Sequence, residues 1–351
     1  MPMRGRSIAT SEEKSFISLD SGYERVLSLV AARSPRALSR GEPMARAKES
    51  VAFLGIGTMG HAMANSALGA GIPTIVWNRD AAAARDLADL GAEMAGSPAD
   101  AASRAAIVVT MVTDADVVLS IAKDQGMLAA LAPGAIWVQM STIGVAGIKR
   151  VETLVEAERP DVVLIDAPVS GSKEPAEQGR LTIFASGPEA VRSRLDLLFD
   201  ALGRRTIWVG PVGAGSRLKL VANAWLALEA EAVNTSIALA RRLGLETETV
   251  ANALSGGPLV SPWQAAKLDR IARDDFSVQF ALSLALKDVR LALEAAGGER
   301  FQALACLADE WQEVVDLGLG NQDLTVVTQA LEQQEERLNP DENRRLGRTT
   351  G

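Results

Sequence analysis

The sequence predicts an α/β fold in which a doubly wound parallel sheet is followed by an all-α C-terminal domain, the two joined by one long inter-domain helix. From Val51 onward, short apolar runs (VAFL, TIVW, AIVVTMV, AIWVQM, VVLIDA, LTIFASG, IWVG) alternate with Ala-rich amphipathic stretches. Strands of that length separated by helices read as parallel strands buried on both faces. After Gly210, Pro211 and Gly213 the strands stop. Ser216 to Leu243 then carries apolar residues at helical spacing and closes on Arg241, Arg242 and Gly244, as a helix C-terminus should. Everything beyond reads as helix.

Residues 1 to about 47 mix Arg, Ser, Pro and acidic residues without a period. They read as a disordered tail, or as lying upstream of a start at Met44. A mitochondrial presequence is the alternative, weakened by Glu12, Glu13, Asp20 and Glu24. The first strand, Val51-Ala-Phe-Leu, runs into Gly55-Ile56-Gly57-Thr58-Met59-Gly60, an alanine-rich helix and a second strand, Thr74 to Trp77. In that setting Gly55 makes the tight turn, Gly57 lets backbone approach a pyrophosphate, and Gly60 packs helix on strand. This is the dinucleotide-binding (Rossmann) pattern, and it assigns Gly55, Gly57, Thr58, Met59 and Gly60 to the cofactor. His61, in the first turn after the loop, reads as a surface or capping residue.

The second strand ends in Trp77-Asn78-Arg79-Asp80, where NAD enzymes usually carry an acidic residue for the ribose hydroxyls. Arg79, beside Asn78, suits a 2′-phosphate and therefore NADP over NAD. Asp80 keeps a ribose contact open. Met111, Val112 and Thr113 follow the strand AIVVTMV, and Ser141 and Thr142 follow AIWVQM, so both loops should border the cofactor. Ser170, Gly171 and Ser172 follow VVLIDAPV at a strand's carboxyl end, where two hydroxyls and backbone N–H groups suit a carboxylate. Lys219 and Asn223, four residues apart, project from one face of the long helix. Their neighbours Leu218, Leu220, Val221 and Ala222 make that helix read as largely buried, so the ammonium should lie near a partner or a reacting group.

Bulk properties bound the rest. A chain of 351 residues, 48% hydrophobic, suits two units: a nucleotide-binding domain over 48–212, a helical substrate and oligomerisation domain over 213–338, and a polar tail over 339–351. A formal charge of −8 argues against nucleic acid or an anionic membrane surface. No apolar run approaches the roughly 18 residues that a spanning helix needs. Small-molecule partners are favoured. The single cysteine, Cys306, excludes an internal disulfide and a Cys-cluster metal site and fits a cytoplasmic location. With His61 the only histidine and Tyr23 the only tyrosine, acid–base chemistry elsewhere falls to Lys, Asp, Glu, Ser or Thr.

Over about residues 50 to 330 the chain resembles the β-hydroxyacid dehydrogenase family (3-hydroxyisobutyrate dehydrogenase-like), most closely its glyoxylate and succinic semialdehyde reductase branch. Besides the glycine loop, the resemblance rests on Asp166-Ala167-Pro168-Val169-Ser170-Gly171-Ser172-Lys173-Glu174-Pro175-Ala176-Glu177-Gln178-Gly179 and on Gly213-Ala214-Gly215-Ser216-Arg217-Leu218-Lys219 with Asn223 following. It extends to Phe280 and Lys287-Asp288. It implies NADPH-dependent reduction of an aldehyde- or keto-acid, with Lys219 protonating the carbonyl oxygen and Asn223 holding substrate and lysine in register. By the same resemblance Ser170, Gly171 and Ser172 bind substrate, Thr142 sits beside the nicotinamide, Lys287 contacts the cofactor, Asp288 closes the substrate pocket and Phe280 forms an apolar wall. Relatives usually form dimers or tetramers through the long helix. The chain departs from many relatives at Asn234-Thr235-Ser236, where they carry a Glu, a change that bears on the substrate side chain. Imine reductases share the pattern but usually carry Asp or Tyr in place of the lysine. A catalytically inactive nucleotide-binding scaffold tends to lose it, and a phosphogluconate-type enzyme would have a larger helical domain.

Overall fold

The computed structural model describes residues 48–254, 256–297 and 300–338, with side chains to 332. The readings of 1–47 as a tail or presequence and of 339–351 as a polar tail fall outside the described residues. The α/β part runs β1 (Val51–Leu54), α1 (Thr58–Gly69), β2 (Thr74–Trp77), α2 (Arg85–Asp89), β3 (Glu93–Met94), α3 (Pro98–Ser103), β4 (Ile107–Thr110), α4 (Ala115–Leu119), α5 (Met127–Ala130), β5 (Ile136–Gln139), α6 (Gly144–Glu158) and β6 (Val163–Asp166). It continues through β7 (Val169–Ser170), α7 (Lys173–Glu177), β8 (Leu181–Ala185), α8 (Arg192–Leu202) and β9 (Gly203–Trp208). Then come α9 (Ala214–Arg242), α10 (Thr247–Leu254), α11 (Pro262–Ala272), α12 (Leu282–Ala296), α13 (Gln302–Val314) and α14 (Val327–Leu338).

Six strands form one parallel sheet in the order β3-β2-β1-β4-β5-β6, the doubly wound arrangement in which ligands bind at the carboxyl edge. Successive residues of a strand point to opposite faces. Val51 and Phe53 accordingly enter the core shared with Met63 of α1 and Phe199 of α8. Ala52 and Leu54 enter the core shared with Val118, Leu128 and Val151 from α4, α5 and α6. A third core unites Ala227, Ala230 and Ile237 of α9 with Ile271, Leu286, Trp311 and Val327 of the later helices. Ser261 opens α11 with a capping box to Gln264 and Pro262 at its first position. No helix among the described residues is long and apolar enough to cross a membrane.

The apolar runs do not all join one sheet. Pro168 offers no N–H to a ladder, and the chain turns there so that β7 pairs antiparallel with β8, which pairs parallel with β9, in a separate three-stranded sheet. The edge strand β3 has no apolar run because both its residues are exposed; pairing with β2 makes it a strand. Helix α9 is buried on one face only. Lys219, Leu220, Asn223, Ala227 and Ala230 face inward, whereas Val221 is 66% and Trp225 69% exposed, against the expectation of a largely buried helix.

Candidate active site

The carboxyl edge of β1 sets the glycine loop. Gly55 adopts φ +99°, and a Cβ there would strike the Met111 carbonyl. At Gly60 a Cβ would overlap the Gly55 oxygen, so helix and loop meet backbone to backbone. Beside Gly57 lies open space. The first-turn N–H groups of α1 (Thr58, Met59, Gly60) have no intrahelical acceptor, and no side chain caps them. Two closed glycines, one open one and uncapped amides at the positive end of a helix fit a pyrophosphate, and hence the dinucleotide.

Asn78 holds this loop: its Oδ1 accepts the Ile56 N–H at 3.0 Å and its Nδ2 donates to the Asp80 carbonyl at 2.9 Å. Asp80 spends its own carboxylate on the Ala82 N–H at 3.0 Å, while Arg79 stays exposed beside it. The loops after β4 and β5 are coupled by Ser141, whose hydroxyl accepts the Val112 N–H at 2.9 Å. Together these elements line a cavity of about 580 Å³ that includes Gly55, Gly57, Thr58, Met59, Gly60, Asn78, Arg79, Met111, Val112 and Thr142. Its opposite wall comes from the helical region, through Phe280, Leu284, Lys287 and Asp288.

Lys287 bridges the two walls. Its ammonium donates to the carbonyls of Thr113 at 3.0 Å and Thr142 at 2.7 Å, so two of its three hydrogens are committed to the loops that edge the cavity. Asp288, 4% exposed, accepts the Asn223 amide at Oδ2, 2.5 Å away. Its Oδ1 lies 2.9 Å from Lys287 Nζ but out of hydrogen-bond alignment, which leaves that oxygen without a donor. Lys219 feels the charges of both these residues. It is 9% exposed, and burial lowers its pKa from 10.5 to about 8, with Asp288 pulling it up and Lys287 pushing it down.

Of the residues singled out in the sequence, Lys219 and Asn223 are buried on the inward face of α9, with Asn223 bonded to Asp288, and neither lines this cavity. Ser170, Gly171 and Ser172 are not brought into this cavity. Ser170 ends β7, which rests against α9. Gly171 takes φ +138°, where a Cβ would come within 2.8 Å of Leu181 Cδ2. Ser172 precedes α7 without capping it. His61 lies on the surface, 2.7 Å from the Asp86 carboxylate, whose pKa the contact lowers.

Asp166, which opens the Asp166–Gly179 stretch, is a supporting residue that the sequence does not single out. Fully buried at the end of β6, it accepts the Ser216 N–H and hydroxyl, both at 2.8 Å, and the Ser186 hydroxyl at 3.1 Å. Burial raises its pKa against the pull of these bonds. It thereby anchors the first turn of α9, one turn before Lys219. Its signal in the sequence is a charge closing an apolar strand at the head of that stretch; its partners are 20 and 50 residues distant.

Comparisons with known proteins cover both parts of the chain. Residues 50–210 match the NAD binding domain of 6-phosphogluconate dehydrogenase. Residues 213–331 match the NAD-binding family of NADP-dependent 3-hydroxyisobutyrate dehydrogenase. Glyoxylate/succinic semialdehyde reductase 1 of Arabidopsis thaliana is 32% identical over 285 residues, 80% of this chain and 98% of that protein. The NAD-dependent L-serine dehydrogenase of Pseudomonas aeruginosa is 32% identical over 256 residues, 71% of this chain and 85% of that one. The crystal structure of a 3-hydroxyisobutyrate dehydrogenase from Salmonella typhimurium aligns with TM-score 0.74 at 25% identity, covering 81% of this chain and 100% of that chain.

Proposed function

Since the chain belongs to the 3-hydroxyisobutyrate dehydrogenase-like family of NAD(P)-dependent hydroxyacid dehydrogenases, we propose that it reduces a small aldehyde- or keto-acid of the glyoxylate or succinic semialdehyde type with NADPH. The observation that carries this reading is the buried Lys219 ammonium, brought to about 8, close to where a general acid transfers its proton most effectively. The bound dinucleotide would supply hydride. Gly55, Gly57, Thr58, Met59 and Gly60 hold its phosphates, Met111, Val112, Thr142 and Lys287 hold the nicotinamide end, and Asn78 fixes the loop. Arg79 receives the 2′-phosphate, a choice supported by Asp80 being turned onto Ala82.

Lys219 Nζ gives its proton to the substrate oxygen as negative charge grows there, so the donor stabilises the transition state more than the ground state. Asn223 reaches Asp288 from the same helix face and keeps the acid and the pocket wall in register. The turn Ser170-Gly171-Ser172, beside α9, takes the substrate carboxylate, Phe280 the apolar side and Asp288 the closing edge. Residues 48–212 then serve the cofactor, and 213–338 serve substrate and self-association. Copies pair through the exposed Val221, Trp225 and Leu228 on α9.

The test is NADPH oxidation by the full-length protein over glyoxylate, succinic semialdehyde, tartronate semialdehyde and methylmalonate semialdehyde, with NADH in parallel. Turnover of at least one acid that is lost in Lys219→Met is expected. Inertness to the whole panel, or undiminished turnover in the variant, would refute the reading.

A further inference from the structure

Two cations one turn apart on α11, Lys267 and Arg270, grip the segment that leads into the cavity wall. Lys267 Nζ lies 2.8 and 3.0 Å from the two carboxylate oxygens of Asp323, with both side chains almost wholly buried. A third hydrogen goes to Gln279 Oε1 at 3.1 Å. Asp323 Oδ2 accepts the N–H groups of Gln279 and Phe280, each at 3.0 Å, and Oδ1 accepts the Thr325 hydroxyl at 3.0 Å. Backbone bonds tighten the same knot: Leu324 N–H donates to Phe280 O at 3.1 Å and Leu282 N–H to Gln322 O at 2.9 Å. Arg270 holds the segment's other end through Asp275 and the Ser277 hydroxyl, at 3.0 and 2.9 Å. Phe280 emerges directly from this knot, and α12 follows with Leu284, Lys287 and Asp288, all in the cavity wall.

A buried ion pair is weak grounds for stability, because desolvation of both charges offsets much of their attraction. A fully hydrogen-bonded one does impose a single orientation on the groups it binds. We propose that Lys267 and Asp323 are positioning residues that set Phe280 and the start of α12 against the substrate. This role rests on reading the cavity as the site of aldehyde-acid reduction. The dinucleotide's phosphates are held by the glycine loop and the strand edges, and Lys287, the α12 residue assigned to the cofactor, is tied separately to the Thr113 and Thr142 carbonyls, so the clamp acts on substrate more than on cofactor.

In the full-length protein, Lys267→Met is expected to raise KM for the best aldehyde acid and to lower kcat/KM by on the order of 10–100-fold, the scale of a slightly misplaced wall. Dinucleotide affinity, read by fluorescence, should stay within about threefold of wild type. Amide exchange at Gln279 and Phe280 should quicken. Lys267→Arg, which still reaches the carboxylate, should restore KM. Should Lys267→Met not fold, Lys267→Gln, which keeps one donor, is read in the same way. Unchanged KM and kcat/KM would overturn the proposal, as would equal losses in substrate and dinucleotide binding, which report general loosening. A wild-type protein inert to every aldehyde acid would overturn both this proposal and the reductase reading, whereas an active wild type matched by Lys267→Met would overturn the clamp alone.

Discussion

Replacing Lys219 with methionine should remove activity and add stability at once. The side chains are similar in length, so the exchange mainly deletes a charge from a buried place. Burial takes the lysine from its ordinary 10.5 to about 8. At about 1.4 kcal/mol per pH unit, keeping that ammonium protonated in the fold costs about 3 kcal/mol relative to the unfolded chain. The sign follows from proton counts: between pH 8 and 10.5 the unfolded chain binds the proton and the folded one does not, so this group's contribution rises with pH. The penalty is full below 8 and gone above 10.5. Denaturant unfolding of Lys219→Met at pH 7 should therefore show a gain of up to about 3 kcal/mol, shrinking as the pH approaches 10.5. In the same variant kcat/KM should fall by on the order of 10²–10⁴. Lys219→Arg should not recover it, because guanidinium keeps its proton. Wild-type reduction should decline above about pH 8, and oxidation of the hydroxyacid, which needs the free amine, should rise through the same range. A methionine variant less stable at pH 7, or a gain that does not shrink with pH, would refute the electrostatic argument. Retained turnover would move the proton donor elsewhere.

Other changes separate the parts of the site. Arg79→Ala should raise KM for NADPH about ten- to hundredfold and leave NADH nearly untouched, since only NADPH offers a phosphate to the guanidinium; equal losses would remove Arg79 from cofactor selection. Gly60→Ala should weaken both dinucleotides by more than about tenfold, because the new Cβ would overlap the Gly55 oxygen; wild-type affinity in a calorimetric titration would contradict the cradle. Glu310 is raised to about 7 by burial and by the neighbouring Glu231. The folded chain thus binds an extra proton between the ordinary carboxylate range and 7, and stability attributable to Glu310 falls as the pH rises through that window. Glu310→Gln should raise Tm at pH 8 and not at pH 4.5; an equal rise at both would show that the charge is not the cause.

Much of this protein is legible in single stretches of chain. The continuous burial of VAFL, the glycines after it and the extent of the long helix arise from steric and hydrogen-bonding rules acting within short stretches of chain, so each is readable without knowledge of distant partners. The NADP reading of Arg79 has the same local source, and Arg79 is one of the residues that line the cavity. Other features depended on neighbours far along the chain. The runs after Pro168 left the main sheet because of what β8 pairs with. The short strand β3 exists only through β2. Period alone left Val221 and Leu220 equivalent, and the docking of the later helices exposed one and buried the other. The serine turn, placed beside ligand by its strand end, lies outside the dinucleotide cavity. The proton-donor environment is non-local for the same reason: Lys219 takes its pKa from burial and from Asp288 and Lys287, nearly 70 residues on. Asp323 likewise becomes a clamp only through Lys267, 56 residues before it. Desolvation and charge pairing are properties of a place in the fold, and tertiary structure alone assigns them.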